Sequence, residues 1–159
     1  MIATPVDIHI RTFDDADTDA VLALWRDAFP EYNASDKPHR EPRRSIANKV
    51  AMRDGLFFVA VRDRKIAGTV MAGYDGHRGW VYSLAVARAL RRRGVASALL
   101  HHAEHALTER GCLKLNLQVL TQSREALAFY TAHGYAADDV VSLGKRLPLA
   151  SPSKVSLSM

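Results

Sequence analysis

Arg91-Arg92-Arg93-Gly94-Val95-Ala96 lies between an apolar, strand-like segment, Trp80 to Val86, and an amphipathic helical segment, Val95 to Arg110. A strand, a basic turn containing glycine and a helix start together make an anion site. The first turn of a helix carries N–H groups that have no intrahelical acceptor. Those groups and the helix dipole favour a phosphate. Gly94 lets the backbone come close to a ligand, and Val95 and Ala96 leave the approach open.

Upstream of this turn, Asp7 to Arg11 reads as a short strand with Ile8 and Ile10 on one face. Asp14, Asp15 and Asp17 supply helix starts, and Val21, Leu22, Trp25, Ala28 and Phe29 form the apolar stripe of a first helix. Pro30 to Pro42 is a loop, and Arg43 to Arg53 a weakly amphipathic second helix. Leu56 to Val61, Ile66 to Ala72 and Trp80 to Val86 then read as a meander. Asp63 to Lys65 and the glycine-rich Gly73 to Gly79 join its strands.

Downstream, Gly111 stops the Val95 helix. Leu113 to Leu120 alternates like a strand, and Ser123 caps a helix that runs to about His133 and ends at Gly134. Tyr135 to Leu147 reads as one or two final strands, and Ser151 to Met159 as a frayed polar tail behind a single domain, 1–150. The order β-α-α-β-β-β-α-β-α-β is a mixed α/β sheet. Its one crossover, at the basic turn, makes the flanking strands parallel. Ligands in such sheets bind beyond the carboxyl ends of the strands, here Val86 to Ala96.

The composition, 48% hydrophobic and 25% charged, is that of an ordinary globular chain. A net charge of +5 invites a polyanion partner, and a nucleotide cofactor is a polyanion too. Cys112 is the only cysteine, so no internal disulfide forms and a reducing cytoplasm fits. Met1 to Arg11 does not read as a signal peptide, and no apolar run approaches the ~18 residues of a membrane span.

Arg91-x-x-Gly94-x-Ala96 resembles the Gln/Arg-x-x-Gly-x-Gly/Ala signature of the GCN5-related N-acetyltransferases. Tyr82 to Val86 has the pattern of the strand before that signature. Ala126 to Tyr135 resembles the family's A-x-x-F/L-Y-x-x-x-G-F/Y element. The order of elements agrees from about Asp7 to Leu147. Within the family, Gly73 to Gly79 and Val141 to Arg146 resemble a group of small bacterial members. The chain departs from the pattern at Ser123, where the family often has Asn.

The resemblance implies acetyl-CoA as donor and an amine as acceptor. It implies that Leu84, Ala85 and Val86 hold the pantetheine through their backbone. It places the pyrophosphate on Arg91, Arg92, Arg93, Gly94, Val95, Ala96 and Ser97, with Arg88 as a further cation and Ser123 and Tyr130 completing the donor site. The Val86 N–H becomes the donor to the carbonyl oxygen. Tyr130 becomes the acid that protonates the leaving thiolate, because a phenol near pKa ~10 can serve a thiol near ~8.5. The alternative for Tyr130 is packing beside the thioester sulfur.

The base is open. The strand at Trp80 to Val86 has no Asp or Glu, so Asp75 and His77 in the preceding loop are the nearest candidates, with Tyr82 acting through water as another. Trp25, Phe29, Tyr32, Trp80 and Tyr82 are candidates to line the acceptor pocket, under the Pro30 to Pro42 loop, whose Glu31 and Asp36 favour a cationic amine. Trp25 and Phe29 fit a core stripe equally well.

His101-His102-Ala103-Glu104-His105 matches H-x-x-E-H, yet its ligating positions lie opposite the apolar stripe and face solvent, so no metal is expected. Cys112 reads as an inert thiol. The competing readings are a non-catalytic acetyl-CoA sensor and a nucleic-acid binder. Tyr130 argues against the first, and the lack of aromatics within Arg88 to Arg93 against the second. The family resemblance also implies that a homodimer is possible.

Overall fold

Four strands form an antiparallel meander: β1 (His9–Thr12), β2 (Phe57–Arg62), β3 (Lys65–Tyr74) and β4 (Gly79–Val86). The fifth, β5 (Leu115–Asn116), joins β4 in parallel, and the sheet order is β1-β2-β3-β4-β5. The helices are α1 (Thr18–Ala28), α2 (Pro42–Ala51), α3 (Val95–Glu109) and α4 (Arg124–Ala132). This computed structural model describes residues 6–33 and 36–150; the expected tail, 151–159, lies outside them.

Alternation along the strands sends neighbouring residues into two different cores. Phe58, Ala60, Val70 and Val81 meet Val95, Leu99, Ala103 and Leu107 of α3 on one face. Phe57, Val59, Met71 and Ala85 meet Val21, Leu22 and Trp25 of α1 and Ile46 of α2 on the other. A sheet covered on both faces explains why β2 and β3 read as continuous apolar runs.

The start of α1 rests on an ion pair. Asp17 accepts two hydrogen bonds from the Arg11 guanidinium, at 2.7 and 2.8 Å, and one from the Asp14 N–H at 2.9 Å. Asp14 in turn accepts from the Ala16 N–H. The hydrogen bond from Arg11 holds the Asp17 carboxyl below its usual range, against the opposing effect of burial. A lowered folded pKa means stability that is fully present above the unfolded value of ~4 and is lost as pH falls through the folded value. Asp17→Asn is therefore expected to cost about 1–2 kcal/mol at pH 7 and progressively less as pH falls below ~4. Thermal melts across that range check this, and an equal loss at both ends would rule the pair out.

Two expectations change in the C-terminal part. Leu113 to Leu120 forms a strand only at Leu115–Asn116, and no strand follows α4 among the described residues. Leu113 is fully exposed, and Val140, Val141, Leu143 and Leu147 are 75 to 90% exposed. A β-pattern becomes a strand only where a paired edge and a buried face meet it, and here neither does. The segment is held beside β5 by side chains instead: Lys114 and Asn116 donate to Asp138, at 2.8 and 2.7 Å, and Gln118 donates to Ser142 at 2.7 Å.

Candidate active site

The site begins at a bulge in β4. Thr69 stands opposite Ala85 and Met71 opposite Tyr82, so Ser83 and Leu84 together face the single residue Val70. The extra residue puts Ser83 at φ +51°, left-handed backbone that L-residues seldom adopt. A buried relay pins it there. The Trp25 indole N–H donates to the Thr69 hydroxyl at 2.8 Å, which donates to the Ser83 carbonyl at 2.9 Å. Thr69 was not legible as a site residue. Its signal was a single hydroxyl within an apolar strand, needing a partner when buried.

Past the bulge, Ala87 donates to the Ala67 carbonyl at 2.8 Å. Bonded and non-bonded pairs alternate along an antiparallel ladder, so Val86, opposite Gly68, directs its N–H and C=O away from β3. On that outer side β5 pairs only with Gly79 and Trp80. From Val81 to Val86 the outer edge of β4 is open among the described residues. The Val86 carbonyl is taken by the Arg91 side chain at 3.3 Å, which leaves the Val86 N–H as the donor at the opening. Gly68 lets β4 lie this close: a Cβ there would stand 2.7 Å from the Ala85 carbonyl oxygen and 2.9 Å from Leu99.

The basic turn follows at once. Arg92 at φ +59° and Gly94 at φ +86° curl the chain into α3, and a Cβ on Gly94 would meet nothing within 4 Å. The first helical bond runs from Ala98 to the Gly94 carbonyl, so no backbone carbonyl among the described residues takes the N–H groups of Arg92 to Ser97. Successive free amides in such a turn make a concave anion site.

Tyr130 closes the other wall. It is half-buried against the core that holds Val86 and Val95, together with Leu84 and Ala96. Burial alone pushes its phenol up to about 12. Two bonds fix α4 on α3: His133 to Ser97 at 2.9 Å and the Tyr135 hydroxyl to Glu104 at 2.9 Å. Leu84, Val86, Val95, Ala96 and Tyr130 thus share one core, and Ser97 is linked to α4 through His133. Ser123 stands at the N-cap of α4, but its hydroxyl makes no cap bond, in contrast to the sequence expectation.

Other candidates lie elsewhere. Asp75 and His77 sit in the β3–β4 turn, beyond the far end of β4 and about 20 Å along the strand from Val86. The Asp75 carboxylate accepts from the His77 and Arg78 N–H groups, both at 2.7 Å, and these bonds hold its pKa low. Neither residue reaches Val86, so neither is placed to act as a base there. Trp80 faces a surface hollow with Arg78, Lys114 and Asp138. Trp25 has no exposure and is core. Arg88 pairs with Asp27 on α1 at 3.1 Å rather than joining the turn.

Tyr82 is half exposed, with its phenol raised by burial first and by the Asp75 charge second. Phe29 and Tyr32 are half-buried with ring centroids 4.7 Å apart, and the Tyr32 hydroxyl lies 3.4 Å from the Ser83 hydroxyl at the bulge. His101 and His105 are exposed while Glu104 turns to Tyr135, so the H-x-x-E-H residues do not converge.

The sequence model of the acetyltransferase (GNAT) family matches residues 18–135. The fold is similar to PaiA N-acetyltransferase from Thermoplasma acidophilum in complex with coenzyme A, at 17% identity and a TM-score of 0.72, over 86% of this chain and 94% of that one. It is similar to Ard1 from Thermoplasma volcanium, at 23% identity and a TM-score of 0.70, over 82% and 84%. The aminoglycoside antibiotic 6'-N-acetyltransferase AAC(6')-IG from Acinetobacter haemolyticus shares 18% identity, with a TM-score of 0.67 over 88% of this chain and 99% of that one. With a family match over most of its length, on a sheet that opens beside the basic turn, the chain belongs to the GNAT acetyltransferase family.

Proposed function

We propose that the protein transfers the acetyl group of acetyl-CoA to a primary amine by direct attack within a ternary complex. The observation that carries this reading is the open edge of β4, where the Val86 N–H points outward directly before the free amides of α3. Acetyl-CoA supplies an acyl group activated as a thioester. The amides of Arg92 to Ser97 hold the pyrophosphate, with Arg91, Arg92 and Arg93 offsetting its charge. The outer edge at Leu84 and Val86 holds the pantetheine arm by backbone hydrogen bonds, while Ala85, opposite Thr69, turns its own backbone groups to β3. This use of the basic run also accounts for the net charge of +5 without a nucleic acid.

The chemistry then falls to two groups. The Val86 N–H stabilises the carbonyl oxygen as it gains charge during attack by the neutral amine. Tyr130 gives its proton to the sulfur as the carbon–sulfur bond breaks, and the proton released by the amine nitrogen restores the phenol through solvent. A phenol raised to about 12 by burial stays protonated at every working pH. The same desolvation raises a thiolate in its vicinity, which keeps the transfer within reach. Phe29, Tyr32 and Tyr82 are proposed to line the acceptor approach, with the Tyr32–Ser83 pair as its polar contact.

Acetyl-CoA at a hundredfold excess over its Kd is expected to stabilise the fold by about 2.7 kcal/mol, or roughly 8 °C in Tm. No shift at millimolar acetyl-CoA overturns the donor. The acceptor is found by free-thiol release against polyamines, aminoglycosides, amino acids and N-terminal peptides. Turnover confined to one class names it, and none with any amine leaves a binding module as the better reading.

A further inference from the structure

Among the described residues, His133 is the imidazole that contacts a side chain in the first turn of α3. Its Nδ1 lies 2.8 Å from the Phe129 carbonyl oxygen and its Nε2 lies 2.9 Å from the Ser97 hydroxyl. The two contacts fix the direction of each bond. A carbonyl only accepts, so Nδ1 carries a proton and donates. In the neutral ring Nε2 then has a lone pair, and the Ser97 hydroxyl must donate to it. Ser97 belongs to the first turn of α3. With its hydrogen committed to His133, that hydroxyl offers a phosphate lone pairs only.

Protonation reverses the bond. An imidazolium donates from both nitrogens, so Nε2–H turns to the Ser97 oxygen and the hydroxyl hydrogen is released toward the phosphate. The ring also brings a positive charge to the same turn. We propose that His133 is a positioning residue for the donor site, which aims the Ser97 hydroxyl and couples phosphate binding at α3 to uptake of one proton. The inference rests on the proposed pyrophosphate site and adds a residue that the sequence motif does not name.

The charged and titratable groups around this ring are few. His101 on α3 lies with its ring 5.5 Å from that of His133. Glu104 on α3 is engaged by Tyr135, and Tyr130 stacks edge-on to Phe129. Arg92 and Arg93 stand in the turn before α3. Of these only His101 carries a second imidazole, so it is the necessary control.

Dephospho-CoA is the probe, because it keeps the pyrophosphate and lacks the 3′-phosphate monoester, which itself titrates near pH ~6. Calorimetry in buffers of different ionisation enthalpy reads both Kd and protons taken up. The expected result is binding about tenfold tighter at pH 6 than at pH 8, with proton uptake between. His133→Gln binds without that dependence, His101→Gln retains it, and Ser97→Ala, which keeps the imidazole and removes the hydroxyl, weakens it. Binding that is independent of pH, or a dependence unchanged in His133→Gln or in Ser97→Ala, overturns the coupling and leaves the donor site standing. No binding at any pH overturns the donor site and the coupling with it.

Discussion

Tyr130→Phe is expected to lower kcat by a factor of about 10² to 10⁴, while the Kd for acetyl-CoA stays within about twofold. The substitution removes one oxygen and keeps the ring, so the packing on the core that holds Val86 and Val95 survives. Burial raises the phenol, and its hydroxyl holds no side-chain hydrogen bond among the described residues, so it is not what ties α4 down. The loss should therefore appear in turnover and not in stability. The pH profile gives a second reading. Because the phenol is raised to about 12, its donor capacity is present throughout the neutral range and disappears only as pH rises through that value. The wild type should show no descending limb from Tyr130 between pH 7 and 10. An unchanged kcat in Tyr130→Phe, measured by thiol release, would sink the acid role and leave Tyr130 as packing.

Gly94→Asp should have the other large effect, on binding. Gly94 sits at φ +86°, where any side chain is strained, although the space around its Cβ is open. Strain costs the fold about 1–2 kcal/mol and is present with or without ligand, so Gly94→Ala should weaken coenzyme A binding by no more than about tenfold. Aspartate adds a carboxylate at the mouth of the proposed phosphate site, and like charges repel there. A further loss of about 2 kcal/mol brings the total to a hundredfold or more in Kd. Calorimetry with coenzyme A separates the two variants. If Gly94→Asp binds as tightly as Gly94→Ala, the pyrophosphate does not rest on this turn.

Much of the fold was legible where one physical rule governed a segment. The meander followed from apolar runs bounded by turn residues, and α3 from the glycine and the free amides that precede it. The family signature named the basic turn and Tyr130 together. Reading failed where tertiary context decided. The alternation at Leu113 to Leu120 and Tyr135 to Leu147 looked like strands, but strands need a neighbour's edge, and β5 offers two residues of pairing. Asp75 and His77 were near β4 in sequence and lie at its wrong end in space. Trp25 read equally as core or pocket. Its indole N–H bonded to Thr69 decides for core and gives it a role as an anchor of the bulge. The Ser97–His133 contact spans 36 residues and has no local signature.

The two helices that flank the proposed donor site are unequally rooted. α3 contributes six buried residues to the core, whereas α4 contributes none and is tied down by bonds from its C-terminal end to α3. Cooperative units open in order of what they bury. The helix carrying the phenol thus belongs to a less protected unit than the helix carrying the amides, and it can detach while the sheet stays folded. A ligand that touches both units suppresses that opening, and its release restores it. Amide exchange in the nine-residue α4 should accordingly outpace that in α3, and a ligand bound across both helices should narrow the difference.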